Sequence, residues 1–220
     1  MIRPSTFTFL EMVAANNNRE WFNENRRLHD DARQNVLDFS QAVIDDLKKV
    51  DPLIPKDLEA KNCVMRIYRD IRFSKNKTPY KTNFGVGISP AGRKFDGPGY
   101  YIHLEPGGSF IGGGCWMPEA EVLRAIRQEI DYNASDFHAI IDNALFTEYF
   151  PALDAEDKLK TAPKGYPADH PDIEYLKLKS FTVMHKLDEA AMSGLGGVAD
   201  IAEGFARLYP FIQFLRNALA

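Results

Sequence analysis

The chain has 220 residues, of which 45% are hydrophobic, 12% aromatic and 26% charged, and a chain of this size buries roughly 70% of the surface it exposes when unfolded. Its 27 basic and 31 acidic side chains leave a net charge of -4, which excludes histone-like tails, collagen, disordered chains and a general attraction to polyanions or to an anionic membrane. Cys63 and Cys115 are too few for a disulfide framework and lack CxxC spacing, so they read as reduced thiols of a cytoplasmic protein. No apolar signal core opens the sequence, and no stretch approaches the roughly 18 apolar residues of a membrane helix.

Thr8 and Glu11 have capping-box spacing, and Asn16-Asn17-Asn18 can stop a first short helix and cap a second. Trp21, Asn25, Leu28, Ala32, Val36, Phe39, Val43 and Leu47 then recur at helical spacing. This predicts an amphipathic helix of about eight turns, ended at Asp51-Pro52 and Pro55. From Val64 to Phe73 the period changes to two. Met65, Ile67, Ile71 and Phe73 share one face and Arg66, Tyr68, Asp70 and Arg72 the other, which predicts a strand. Arg69 breaks the apolar face, as a bulge or as a guanidinium buried against a partner.

Further strands are expected at Phe84 to Ile88, Tyr100 to Glu105, Phe110 to Trp116 and around Leu178 to Met184, with Pro106-Gly107-Gly108 turning a hairpin. Pro118 starts a helix carrying Val122, Leu123, Ile126 and Ile130. Ser135 can cap another, and a last helical region from Val198 to Leu219 is interrupted or kinked at Pro210. With no repeat and no linker, the expectation is one domain over residues 1–220. Its class is α+β, with a mainly antiparallel sheet of about five strands packed by N-terminal, middle and C-terminal helices.

The average charge hides a local excess. Between Arg66 and Lys81 lie six cations, Arg66, Arg69, Arg72, Lys75, Lys77 and Lys81, against one acid, Asp70, so this segment nets +5 and the rest of the chain -9. Arginine forks pair with phosphate or carboxylate through two parallel hydrogen bonds, so the partner is an external anion or the chain's own acids. If Gly107-Gly108 form the hairpin turn, Tyr101, His103 and Glu105 share a face with Gly112 and Gly114, which leaves room beside a titratable imidazole. Aromatic rings or a helix covering those glycines is the plainer reading.

Other motifs fail. Ser74-Lys75-Asn76-Lys77 matches SxxK without its companion motifs, and Gly112-Gly113-Gly114 belongs to no phosphate-loop pattern. The five histidines form neither HxxxH nor HExxH, so neither a metal site nor a cofactor is expected.

The blocks Phe9-Leu10, Asn16 to Asn25, Arg66 to Lys81, Gly99 to Leu104, Gly112 to Trp116 and Leu123 to Arg127 together resemble the family catalogued as domain of unknown function 2461. The resemblance covers nearly the whole chain. It implies one soluble α+β domain and supplies no activity or catalytic residues.

Three functions compete. The first is a pocket for a small anionic, phosphorylated ligand, built from Arg66, Arg69, Arg72, Lys75, Lys77 and Lys81, with Tyr101 and His103 facing it. His103 is the one candidate general acid or base, and whether the chain is an enzyme is left open. The second is nucleic-acid binding, with Tyr68, Phe73 and Tyr80 stacking on bases; a pI of about 5.8 and the lack of any nucleic-acid-binding signature count against it. The third is a scaffold whose basic segment pairs with acids such as Asp30, Asp31, Asp38, Asp45 and Asp46, on this chain or a partner's. The oligomeric state is not legible.

Overall fold

The computed structural model describes residues 1–94 and 97–220. The protein is α+β, and among the described residues it has ten helices and one open antiparallel sheet of four strands. In chain order these are α1 (Pro4–Ala15), α2 (Arg19–Glu24), α3 (Arg26–Val50), α4 (Ala60–Cys63), β1 (Phe84–Ile88), β2 (Gly99–Leu104) and β3 (Phe110–Cys115), then α5 (Ala120–Tyr132), α6 (Ala134–Ile141), α7 (Ala144–Tyr149), α8 (Ile173–Leu176), β4 (Phe181–Lys186), α9 (Glu189–Ser193) and α10 (Gly197–Asn217). The strand order is β1-β2-β3-β4. Among the described residues no helix is long and apolar enough to cross a membrane. The residues group into two compact units. The first contains Met1–Lys94, Tyr101–Ile111 and Lys186–Glu203, and the second contains 97–100, Gly112–His185 and Gly204–Ala220.

In the first unit, α1 begins at Pro4 rather than at Thr8, because a proline at the first helical position has its φ preset and needs no donor there. Thr8 lies inside the helix, its hydroxyl bonded back to the Pro4 carbonyl at 3.3 Å. The true start is satisfied from α3: the Arg3 N–H and the Thr6 hydroxyl both donate to the buried Asn35 carboxamide oxygen at 2.8 Å. The expected eight-turn helix breaks at Asn25, whose own amide donates to the Trp21 carbonyl at 2.9 Å and competes with helix continuation. From Ala32 onward the buried stripe is the expected one, and only its first members change. His29, Ala32, Val36, Phe39, Val43 and Leu47 face inward, and Leu28 is left exposed.

The segment from Val64 to Phe73 is not a strand. It is extended and held by two isolated antiparallel bridges, Val64 with Val86 and Tyr68 with Tyr80. Residues 65–67 separate the bridges on one side and 81–85 on the other, so the two sides are out of register and no continuous ladder forms. Beyond Tyr68 the Thr78 N–H turns to the Asn76 carboxamide oxygen at 2.9 Å instead of across the pair, and the chain leaves as a loop. Of the expected apolar face only Ile67 is buried, and Phe73 is 94% exposed.

In the second unit, α5 begins two residues after Pro118, α6 encloses Ser135, and α10 runs through Pro210 without interruption, with that ring on its exposed side. The core is aromatic: Phe137 meets Phe214 at 5.5 Å, Phe146 meets Phe211 at 5.9 Å, and Tyr100 meets Phe205 at 5.0 Å. The glycine run of β3 follows from backbone crowding. A methyl group on Gly114, at φ +123°, would lie 2.0 Å from the Phe181 carbonyl oxygen, and one on Gly112 would lie 2.3 Å from that of Val183. Neighbouring backbone fills the space that the sequence reading left open above these glycines.

Candidate functional site

Within the first unit a cleft of about 310 Å³ is lined by Arg19 and Asn23 of α2 and by Tyr68, Arg69 and Tyr80 of the basic segment, with Ile71 and Pro79 completing its wall. Local chemistry assembles it. The Asn18 side chain caps α2 by accepting from the Trp21 N–H at 2.9 Å, which sets Arg19 at the head of the helix. The Asn17 carboxamide then clamps Tyr80, donating to its carbonyl and accepting from its N–H, each at 3.0 Å. This clamp brings the turn between α1 and α2 to the basic segment.

Aromatic packing fixes the floor. Tyr80 stacks on Phe22 with centroids 3.9 Å apart, and Tyr68 tilts against both, 5.5 Å from Tyr80 and 6.2 Å from Phe22. Tyr80 is 4% exposed, yet its hydroxyl makes no hydrogen bond among the described residues. Burial raises that phenol's pKa and nearby Tyr68 adds to the rise, while Arg19 and Arg26 oppose it. Arg69 is aimed by Thr78, whose carbonyl, at 3.4 Å, and hydroxyl both accept from one guanidinium nitrogen. Thr78 is itself held by Asn76, which accepts from its N–H and its hydroxyl at 2.9 Å. Among the described residues no carboxylate lines the cleft and none forms an ion pair with Arg19 or Arg69.

The other cations of the segment lie elsewhere. Arg72 forks onto Asp70, with Nη2 to Oδ2 at 2.6 Å and Nε to Oδ1 at 3.0 Å, and this pairing holds the Asp70 carboxyl down at about 2. Lys77 donates to the Ile71 carbonyl at 2.9 Å, and Lys75 and Arg66 are exposed. Lys81 is half-buried. Burial, and after it the Arg66 charge, lower its pKa. Of the cations expected to bind a ligand, only Arg69 lines the cleft. Arg19 and Asn23 were not legible as partners, because no spacing rule links α2 to a segment so much later in the chain.

Tyr101 and His103 stand in a different arrangement. The Tyr101 hydroxyl is 3.2 Å from His103 Nδ1, His103 Nε2 is 3.1 Å from Glu105 Oε2, and the Thr82 hydroxyl donates to Glu105 Oε1 at 2.9 Å. This is a line of polar groups along one face of β2. The hairpin turns at Pro106-Gly107 rather than Gly107-Gly108: Gly107 has φ +70° and the Gly108 N–H donates to the Glu105 carbonyl at 3.0 Å, which is type II turn chemistry. Moving the turn by one residue slips the pairing by two and keeps the faces. His103 therefore stacks on Phe110, at 4.7 Å and 12°, where the sequence reading put Gly112. Neither Tyr101 nor His103 lines the cleft.

The acids of α3 are engaged within their own helix: Asp30 with Arg26 and His29, Asp31 with Arg27, Asp38 with Gln34, Asp45 with Lys48 and Asp46 with Lys49. In the second unit His138 sits between Asp142 at 2.9 Å and Asp172 at 2.6 Å, and His170 bonds Asp131 at 2.9 Å. Among the described residues no cluster of three or more histidine, cysteine or carboxylate side chains is arranged to hold a metal. Cys63 and Cys115 are buried free thiols, each pushed up to about 11 by burial.

The family described as conserved hypothetical protein (DUF2461) matches residues 5–214, nearly the full length, and the chain belongs to it. Neither the curated proteins nor the solved structures contain a match.

Proposed function

We propose that this DUF2461 protein binds a small phosphorylated anion in the cleft formed by α2 and the basic segment. The observation that carries the reading is a pair of guanidinium groups, Arg19 and Arg69, in a concavity lined among the described residues by no carboxylate, beside a Tyr80 hydroxyl that makes no hydrogen bond among them. Two such groups suit a phosphate, since each offers parallel donors in a fixed plane. Arg66, Lys75, Lys77 and Lys81 add to the positive potential that draws the ligand in, while Arg72 is occupied by Asp70.

The pairing of the α3 acids within their own helix favours this reading over a scaffold in which they meet the basic segment. His103 has the partners of an oriented acid or base, but it does not line the cleft. Binding, not catalysis, is therefore the function proposed. A cytoplasmic location accords with two buried, unpaired thiols.

Thermal shift and calorimetry against inorganic phosphate, sugar phosphates and nucleotides test the proposal. Wild type is expected to gain stability with ligand, and the Arg19→Ala, Arg69→Ala double variant to lose at least a hundredfold in affinity, on the order of 3 kcal/mol for two charged donors. Absence of any shift in the wild type, or an equal shift in the double variant, refutes it. A steep loss of binding with rising salt, spanning many phosphates, would instead indicate nucleic acid.

A further inference from the structure

We infer that the anion taken by the cleft is an aromatic phosphate ester, with its phosphate on Arg19 and Arg69 and its ring on the open face of Tyr68. This rests on the anion-binding reading above and narrows it. The first ground is size. An inorganic oxyanion needs only a small part of about 310 Å³, a volume at the lower end of sites for small organic ligands.

The second ground is how the lining divides. Its cationic part is Arg19 and Arg69, and its aromatic part is Tyr68 and Tyr80. The Tyr80 ring cannot take a stacking partner, because Phe22 covers one face at 3.9 Å and the residue is 4% exposed. Tyr68 can. It is 49% exposed, while its inner side rests at a tilt on Tyr80 and Phe22. Those two ring contacts, at 5.5 and 6.2 Å, fix its inner side. The ring is therefore ordered before any ligand arrives, and a ligand ring meets a surface whose ordering cost is already met.

The third ground is unused hydrogen-bonding capacity. Neither the Tyr80 hydroxyl nor the Asn23 carboxamide makes a hydrogen bond among the described residues. Both line the cleft, beyond what two guanidinium groups need to hold a phosphate. They supply directional contacts to the ester oxygen and to ring substituents. An aliphatic ester would use the arginines and leave the Tyr68 face wet, whereas a stacked ring is worth roughly tenfold or more in affinity.

The test is calorimetric titration at fixed ionic strength of inorganic phosphate, glycerol phosphate, phenyl phosphate and adenosine monophosphate into wild type, Tyr68→Ala, Tyr68→Phe and Phe73→Ala. Phenyl phosphate and adenosine monophosphate are expected to bind wild type about tenfold tighter than glycerol phosphate. Tyr68→Ala should erase that preference while leaving glycerol phosphate within about twofold, and Tyr68→Phe and Phe73→Ala should keep it. Equal binding of aliphatic and aromatic esters overturns the aromatic assignment and leaves the anion cleft standing. A preference that survives Tyr68→Ala but is lost in Phe73→Ala moves the ring to the exposed loop and also overturns it. Failure of every phosphate to bind removes the anion reading itself.

Discussion

Helix α3 and the segment from Arg66 to Lys81 are both rich in charge and dispose of it in opposite ways. Along α3 the helical repeat returns a neighbour every three or four residues, so Asp30 finds Arg26 at 3.2 Å, Asp45 finds Lys48 at 2.9 Å, and Asp46 finds Lys49 at 2.5 Å. The basic segment is extended and irregular, and no repeat returns a carboxylate to its cations. Among the described residues only Arg72 finds one, Asp70. Charge paired within one helix cancels at short range and leaves little field for a partner. Charge left unpaired around a concavity keeps its field and directs it into the cleft.

The strongest way to break this contrast is to detach the two sides of the cleft. Asn17→Ala removes the clamp on the Tyr80 backbone and should cost about 2 kcal/mol of stability in urea denaturation. It should also weaken phosphate binding although Asn17 itself does not line the cleft. A variant of wild-type stability and affinity would mean that Arg19 and Arg69 are placed by other contacts.

A second substitution sharpens the contrast by its sign. Lys81 is half-buried beside Arg66 with no carboxylate partner among the described residues, and its pKa lies below the ordinary 10.5 because burial, and then Arg66, disfavour its charge. The unfolded chain therefore holds the proton to higher pH than the folded one, so stability rises as pH climbs through the folded pKa toward 10.5. Lys81→Met should raise the unfolding midpoint at neutral pH and remove that alkaline gain, as a pH series of melts would show. The smallest effect is expected on the acidic helix. Asp45→Ala removes a carboxylate that is 55% exposed and should change stability by under about 0.5 kcal/mol, with no change in ligand titrations.

Parts of this molecule were legible because they rest on local rules. Phe84–Ile88 is a strand as expected, Asn18 caps α2, and the hairpin lies around Pro106. Its turn centre was misplaced by one residue. The rule that decides it, proline before a glycine of positive φ, lies in Pro106-Gly107, one residue ahead of the glycine pair. The alternation from Val64 to Phe73 misled, because a period of two describes any extended chain and not only one that finds a continuous partner. At the site, Arg69 was marked by the local charge excess. Arg19 and Asn23 were not, because nothing in their own segment sets them apart.

The sequence by itself determined the class of fold, most of its elements and the place where positive charge is concentrated, since composition, periodicity and turn chemistry act over a few neighbouring residues. Tertiary structure alone decided which cations are free and what stands opposite them. It set Arg19 across from Arg69 through a clamp from Asn17 to Tyr80, tied Arg72 to Asp70, and turned the acids of α3 onto their own helix. Charge is a property of residue type, but its availability depends on distances of a few ångströms between segments far apart in the chain, and only the fold sets those.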